Sequence, residues 1–229
     1  MGNFVPVIRL TQADDGAAQP PDAADFCVVD VKLAWCEPPI TRRLLVPTAA
    51  NLGWLHAVLQ IAMGWEDQHL HMFRTGDVFI GNPDQDPSEF TKGSASDEST
   101  VTLAACLGSD LKRFEYVYDL GDTWKHQLVL KRMTKAMVPI EQRAVCLAGE
   151  RACPPEDCGG PPGYMRFVEV LGNPKHPEYA ELREWFGRPF DPEYFSVEKT
   201  NRFLAKLPWP KVSPAALGRV LDARDKSAP

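Results

Sequence analysis

The sequence predicts an α+β fold with a mixed or antiparallel sheet packed by helices. Strand patterns dominate the chain from residue 26 to about residue 130. One helical pattern interrupts them early, and three more follow one another after residue 160. Runs of strands followed by runs of helices are typical of this class.

The start of the chain predicts a leader followed by a β-hairpin. Residues 11–25 are small, acidic and Pro-containing, so we expect residues 1–25 to form a flexible leader. From residue 26, Val29, Val31 and Leu33 alternate with polar side chains, as on a half-buried strand. The turn CEPPIT and the strand-like RRLLV then complete a hairpin.

The next segment predicts a buried helix and a second pair of strands. Asn51 is a favourable N-cap, apolar residues recur at helical spacing from 52 to 62, and Gly64 suits a left-handed stop. HLHMF and VFIG predict short strands around a Thr75-Gly76 turn. Residues 82–100 are polar and rich in turn-forming residues, which predicts a long loop.

A second hairpin is predicted from residue 114 to residue 130. Its inward side chains, at the two-residue period of a strand, are Phe114, Tyr116, Tyr118, Trp124, His126, Leu128 and Leu130. We expect a loop with Pro139 and the cysteine segment to follow it.

The second half predicts three helices. Apolar residues take helical spacing over 164–171, over 179–186 before Gly187, and over about 196–206. We expect residues 26–207 to form one α+β domain and residues 208–229 to form a weakly ordered tail.

Composition limits the classes of function. The net charge of -6 and the pI near 5.4 disfavour non-specific binding to nucleic acid, because such binding needs Lys and Arg to neutralise phosphates. No membrane segment or signal peptide is visible, so we expect a cytoplasmic protein with reduced cysteines. Cys27, Cys36 and Cys106 have apolar or strand-like neighbours and are predicted core residues.

Several segments together resemble one family, named after open reading frame 3 of a pRi-type plasmid. They are AMGWEDQHLHMF, YVYDLGDTWKH, CPPEDCGGPPGY, NPKHPEY and GRPFDPEYFS, and the resemblance spans roughly residues 26–207. It implies a compact α+β fold whose hairpin-then-helix start is β-grasp-like, an association with mobile elements, and no established activity. Some members carry transposition or resolvase labels, but this sequence contains no recombinase motif that we recognise.

Three cysteines could contribute to a zinc site. Cys146, Cys153 and Cys158 are separated by six and four residues, and His126 or His176 could add a ligand. No second closely spaced cysteine pair is present, so we favour buried thiols.

Two histidines could hold a metal from one strand. His69 and His71 are two residues apart and would face the same way on a strand, with Phe73 continuing that face. We favour a hydrogen-bonded structural role, because a metal needs at least a third ligand.

The hairpin turn gathers Asp119, Asp122 and His126. Carboxylates beside an imidazole could perform acid-base chemistry or bind a divalent cation. Aspartates in tight turns commonly bond their own backbone, and we favour that interpretation.

An acidic, glycine-rich loop precedes the first C-terminal helix. Glu156 and Asp157 are followed by glycines at 159, 160 and 163. No GK[ST] follows, so we favour a role in positioning the helix over phosphate binding.

The sequence leaves the function open, with a non-enzymatic binding or adaptor module favoured. That module would bind a protein partner through an aromatic-rich surface around Trp65, Tyr118 and Trp124. The alternative is a metal-dependent hydrolase or nuclease that uses the cysteines as optional further ligands and whose main candidate ligands are His69, His71, Asp119, Asp122 and His126. A weaker alternative is sequence-specific nucleic-acid binding by a basic face, formed by Arg42, Arg43, Lys112, Arg113, Lys131 and Arg132.

Overall fold

The computed structural model describes residues 26–84, 94–109, 112–133, 144–209 and 213–225. Its strands are β1 (Phe26–Leu33), β2 (Thr41–Pro47), β3 (His71–Thr75), β4 (Val78–Gly81), β5 (Ser94–Asp97), β6 (Arg113–Tyr118), β7 (Trp124–Arg132) and β8 (Val145–Glu150). Its helices are α1 (Leu52–Met63), α2 (Leu103–Gly108), α3 (Gly160–Leu171), α4 (Tyr179–Phe186), α5 (Val197–Leu204) and α6 (Pro214–Asp225). The predicted leader, residues 1–25, and Pro139 lie outside the described residues.

The strands form one mixed sheet in the order β5-β4-β3-β6-β7-β1-β2-β8. Strands β4 and β5 run parallel, whereas every other neighbouring pair is antiparallel. The predicted α+β class and the hairpin-then-helix start, β1-β2-α1, are confirmed. The β-grasp likeness of that start stays a prediction.

Helix α1 is a buried core helix, capped as the sequence predicts. The Asn51 side chain accepts a hydrogen bond from the Trp54 amide at 2.8 Å, and Gly64 closes the helix in the left-handed region at φ 109°. Every residue of α1 except Gly53 is buried. No helix in the described ranges is long and apolar enough to cross a bilayer.

Two strand pairings position the residues of interest. His71 of β3 lies opposite Tyr118 of β6, and Tyr118 lies opposite Trp124 of β7. The turn after β6 therefore lies beside the chain that enters β3.

Four elements differ from the expectations. Strand β5 lies in the predicted 82–100 loop, and its polar sequence SASD shows no apolar alternation that could have revealed it. Strand β8 lies in the segment predicted to be a loop, and α2 was not predicted. The expected weakly ordered tail is wrong for α6, which buries Leu217, Val220 and Leu221 at helical spacing.

Candidate functional site

His69 and Asp119 meet where the pairing of β3 and β6 continues beyond the strand ends. The Asp119 amide donates to the Leu70 carbonyl at 2.9 Å, which holds the two segments together. Oδ1 of Asp119 accepts from the amides of Gly121 and Asp122 at 2.9 and 3.2 Å, so the predicted turn bonding is confirmed. The other oxygen, Oδ2, lies 3.7 Å from Nε2 of His69.

The loop between β8 and α3 adds two more carboxylates. Glu156 is anchored through Oε1, which accepts from the Glu66 amide at 2.7 Å and from the Tyr118 hydroxyl at 2.9 Å. Its second oxygen, Oε2, lies 3.8 Å from Nε2 of His69. Oδ1 of Asp157 lies 3.2 Å from the same nitrogen.

We call His69, Asp119, Glu156 and Asp157 the His69 cluster. The Asp119 and Glu156 side chains are only 10% exposed, whereas that of Asp157 is 66% exposed. The cluster is therefore closed on one side and open to solvent at Asp157. Burial raises the pKa of Glu156, because a carboxylate loses hydration there.

Two polar atoms of the His69 cluster are buried without a hydrogen-bond partner among the described residues. They are Nε2 of His69 and Oε2 of Glu156. Buried polar atoms are normally hydrogen-bonded, so an unsatisfied nitrogen among carboxylate oxygens needs an explanation.

The spacing of these atoms suits a bound cation. Ligand atoms of His69, Asp119 and Asp157 all lie within 4.8 Å of one another. Two ligand atoms that each lie about 2.0–2.2 Å from the same ion are roughly 2.9–4.3 Å from each other. The distances from Nε2 of His69 to the three carboxylates, 3.2–3.8 Å, fall in that range.

His126, a candidate only in the alternative metal site, is a satisfied core residue. Its Nε2 accepts from the Trp65 indole at 3.2 Å, and its Nδ1 donates to the Tyr116 carbonyl at 3.2 Å. Burial lowers the pKa of His126 to about 4, so the ring is neutral at pH 7.

Asp122 also lies apart from the cluster. Its Oδ2 accepts from the Gly159 amide at 3.1 Å, which ties the hairpin turn to the start of α3. Gly163 permits the same close packing, because a Cβ there would collide with the Cys158 carbonyl oxygen.

His71 belongs to a second, buried polar network. Its Nε2 lies 2.8 Å from Oε2 of Glu98, and its ring stacks on His56 at 3.5 Å between centroids. His56 in turn bonds the Tyr116 hydroxyl and Asp67, each at 2.9 Å. His69 and His71 lie in different clusters, so they do not form the alternative two-histidine metal site, and His71 has the hydrogen-bonded role that we favoured.

Sequence reasoning missed this second network, although His56, Asp67 and His71 could in principle hold a metal. The two imidazole planes are 7° from parallel, so their in-plane lone pairs do not converge on one ion. Burial, followed by the neighbouring His71, lowers the pKa of His56 to about 4. The available signal was His56 and Gln60, polar residues four apart in an otherwise apolar helix.

The predicted aromatic surface is wrong. Trp65, Tyr118 and Trp124 are all 0% exposed. The Trp65 ring packs 5.1 Å from Tyr118 and 5.5 Å from Trp124, between centroids. These side chains pack beneath the His69 cluster and cannot contact a partner.

The cysteines do not assemble the zinc site that we considered as an alternative. All six are free thiols, and neither metal-capable group found in the described ranges contains one. Burial raises the pKa of Cys146, Cys153 and Cys158, which favours the protonated thiol over the metal-binding thiolate. His176 uses its Nδ1 to accept from the Glu178 amide at 3.2 Å.

The predicted basic face lacks one of its six members and is partly neutralised. Arg42 is buried at 2% exposure and bonds backbone carbonyls. Arg43 and Lys131 both pair with Asp30, at 3.0 and 2.6 Å. Arg42 is therefore unavailable to a basic face, and Asp30 offsets part of the charge of Arg43 and Lys131.

Comparison with known proteins assigns the family. Residues 25–199 match the model of the plasmid pRiA4b ORF-3-like proteins, a range that contains the whole His69 cluster. The chain belongs to this family. This confirms the family resemblance seen in the sequence.

Two relatives of this chain are similar to it along most of their length. The uncharacterised protein y4hQ of Sinorhizobium fredii is 40% identical over 157 residues, which are 69% of this chain and 78% of y4hQ. The crystal structure of MM3350, a protein of unknown function from Methanosarcina mazei Go1, matches with a TM-score of 0.68 and 31% identity. That match covers 76% of this chain and 97% of MM3350.

Proposed function

We propose that this protein binds a divalent cation in the His69 cluster. The observation that carries the proposal is the unsatisfied Nε2 of His69, which lies 3.2–3.8 Å from three carboxylate oxygens. A cation between these atoms would take the imidazole lone pair and offset the repulsion among the carboxylates.

A protonated His69 alone would account for the cluster less well. One imidazolium carries a single positive charge, whereas Asp119, Glu156 and Asp157 can carry three negative charges. An imidazolium would also donate a hydrogen bond from Nε2, and none with acceptable geometry is present in the described structure.

The ligand chemistry favours a first-row transition ion such as Mn²⁺ or Zn²⁺. Imidazole suits Zn²⁺ and its neighbours, carboxylates suit Mn²⁺ and Mg²⁺, and a mixed set favours ions that accept both. Ca²⁺ prefers six to eight oxygen ligands and should bind more weakly.

A metal-dependent hydrolase is the second candidate, supported by the exposure of Asp157. An ion in the cluster would keep a solvent-facing position for a water molecule, whose pKa the ion would lower. In the non-enzymatic form of the proposal, the ion would serve a binding module that does not use the predicted aromatic surface.

Isothermal titration of EDTA-treated protein with Mn²⁺, Zn²⁺ and Ca²⁺ tests the cation proposal. We expect one site, with Mn²⁺ and Zn²⁺ tighter than Ca²⁺. His69→Ala should weaken the site at least roughly tenfold, because even changes beyond the direct ligands typically cost that much. Asp77→Asn, in the exposed turn after β3, is the matched control. Unchanged affinity in His69→Ala would refute the assignment.

A further inference from the structure

A cavity of about 420 Å³ lies beside the His69 cluster. It is bounded by the end of α1, the loop from Cys153 to Glu156, the chain from Phe186 to Ser196, and α5. Phe186, Phe190, Phe195 and Phe203 give it an aromatic wall. Its volume is in the range that accommodates small organic ligands.

Arg42 gives this cavity an unusual charge. The residue is 2% exposed, and its guanidinium donates to the carbonyls of Ala62, Thr41 and Glu150 at 2.6–2.8 Å. In the described part of the chain no carboxylate forms an ion pair with it. Burial lowers the pKa of Arg42 to about 10, which reflects the cost of the unpaired charge.

Buried arginines are rare unless a negative group accompanies them. Carbonyl dipoles satisfy N–H groups of Arg42 but do not neutralise its charge. The guanidinium carbon lies 3.7 Å from the centroid of the Phe195 ring, so cation and aromatic wall are adjacent.

The cavity is lined by three further cationic side chains and by three acidic ones. Its further cationic side chains are Arg188, Lys199 and Arg224. Of the acids, Glu66 and Glu156 belong together at the His69 cluster, where the Glu66 amide bonds Glu156. The third, Asp191, accepts from the Glu193 amide at 2.9 Å.

We propose that this cavity binds a small organic anion, with a flat apolar body against the phenylalanines and a carboxylate or phosphate group facing Arg42 and Arg188. The anion would supply the negative charge that Arg42 lacks. This binding goes beyond the cation proposal and does not require an ion in the His69 cluster.

Ligand-observed NMR titration of the full chain tests the proposal with three probes of similar size. Benzoate and phenyl phosphate carry the expected charge, and benzyl alcohol is the neutral match. In EDTA we expect at least one anionic probe to bind roughly tenfold or more tighter than benzyl alcohol, as expected for a charge-assisted contact. The tighter of the two identifies the acid group.

Two substitutions locate the site. Arg188→Gln should weaken the anionic probe several-fold and leave benzyl alcohol unchanged. Arg183→Gln removes an exposed arginine of α4 that does not line the cavity, and should change nothing. Phe190→Ala should weaken all three probes, which identifies the aromatic wall without disturbing Arg42.

Three results would overturn the proposal. Equal affinity for charged and neutral probes would show that the cationic groups do not select the ligand. Equal effects of Arg188→Gln and Arg183→Gln would place the anion elsewhere. Binding seen only after Mn²⁺ is added would place it on the cation, so failure here is distinguishable from failure of the cation site.

Discussion

Replacing Asp157 by Asn should reduce the stabilisation that Mn²⁺ gives to the folded protein. Asp157 is 66% exposed, and its only described interaction is the approach to His69, so the metal-free variant should unfold like the parent chain. In the parent chain, Mn²⁺ at one hundred times its Kd should stabilise the fold by about 2.7 kcal/mol. For a chain of this size that corresponds to a rise in Tm of roughly 5–11 °C.

The variant should lose about half of that rise or more. A tenfold weaker site at the same Mn²⁺ concentration stabilises by only about 1.4 kcal/mol, and a hundredfold weaker site by about 0.4 kcal/mol. Thermal unfolding monitored by circular dichroism, with and without Mn²⁺, measures the metal-free Tm and the rise in Tm. The control Asp77→Asn should show the same rise in Tm as the parent chain. Equal rises in the parent chain and Asp157→Asn would refute the reasoning.

Three further predictions concern the fold around the site. Gly163→Ala should lower the free energy of unfolding, measured by urea titration, by about 1–3 kcal/mol, because its Cβ would meet the Cys158 carbonyl. Gly218→Ala, with open space around the new Cβ, should not destabilise the protein. Equal effects of the two substitutions would contradict this prediction. His56 and His126 have folded pKa values of about 4, below the ordinary value of 6.5, so the stability they allow is present above pH 6.5 and is lost as pH falls towards 4. Between those limits the two imidazoles together should take up about two protons from solvent when the protein unfolds. His126→Asn should reduce that uptake by about one proton. An unchanged slope of stability against pH in this variant would disprove the assignment. Burial raises the pKa of every cysteine thiol, so a disulfide reagent at pH 8 should react only slowly with the native protein. In denaturant the same reagent should react with all six thiols. Rapid labelling of the native protein would contradict the burial.

Regular patterns and strong capping signals made much of the fold predictable. The alternation from Val29 to Leu33 and the caps at Asn51 and Gly64 defined the opening hairpin and α1. Strand β5 could not be found in this way, because its polar residues take strand geometry through pairing with β4. Helix α6 carried a usable signal in Leu217, Val220 and Leu221, which the prolines before it obscured.

All four residues of the His69 cluster were singled out in the sequence, but in three separate groups rather than as one site. His69 and Asp119 were each singled out with the wrong neighbours, because sequence spacing does not show that β3 and β6 pair. Glu156 and Asp157 reach the same point across a long separation in sequence, through the bonds of Glu156 to Glu66 and Tyr118. His126 attracted attention by its chemistry, yet its burial against Trp65 removes it from the site.

Anomalous diffraction from crystals grown with MnCl₂ tests the cation site most directly. We predict one strong manganese peak about 2.0–2.3 Å from Nε2 of His69 and from carboxylate oxygens of Asp119 and Asp157. The peak should vanish in His69→Ala crystals grown under the same conditions. A His69 cluster without manganese, at concentrations that fill other sites, would contradict the account.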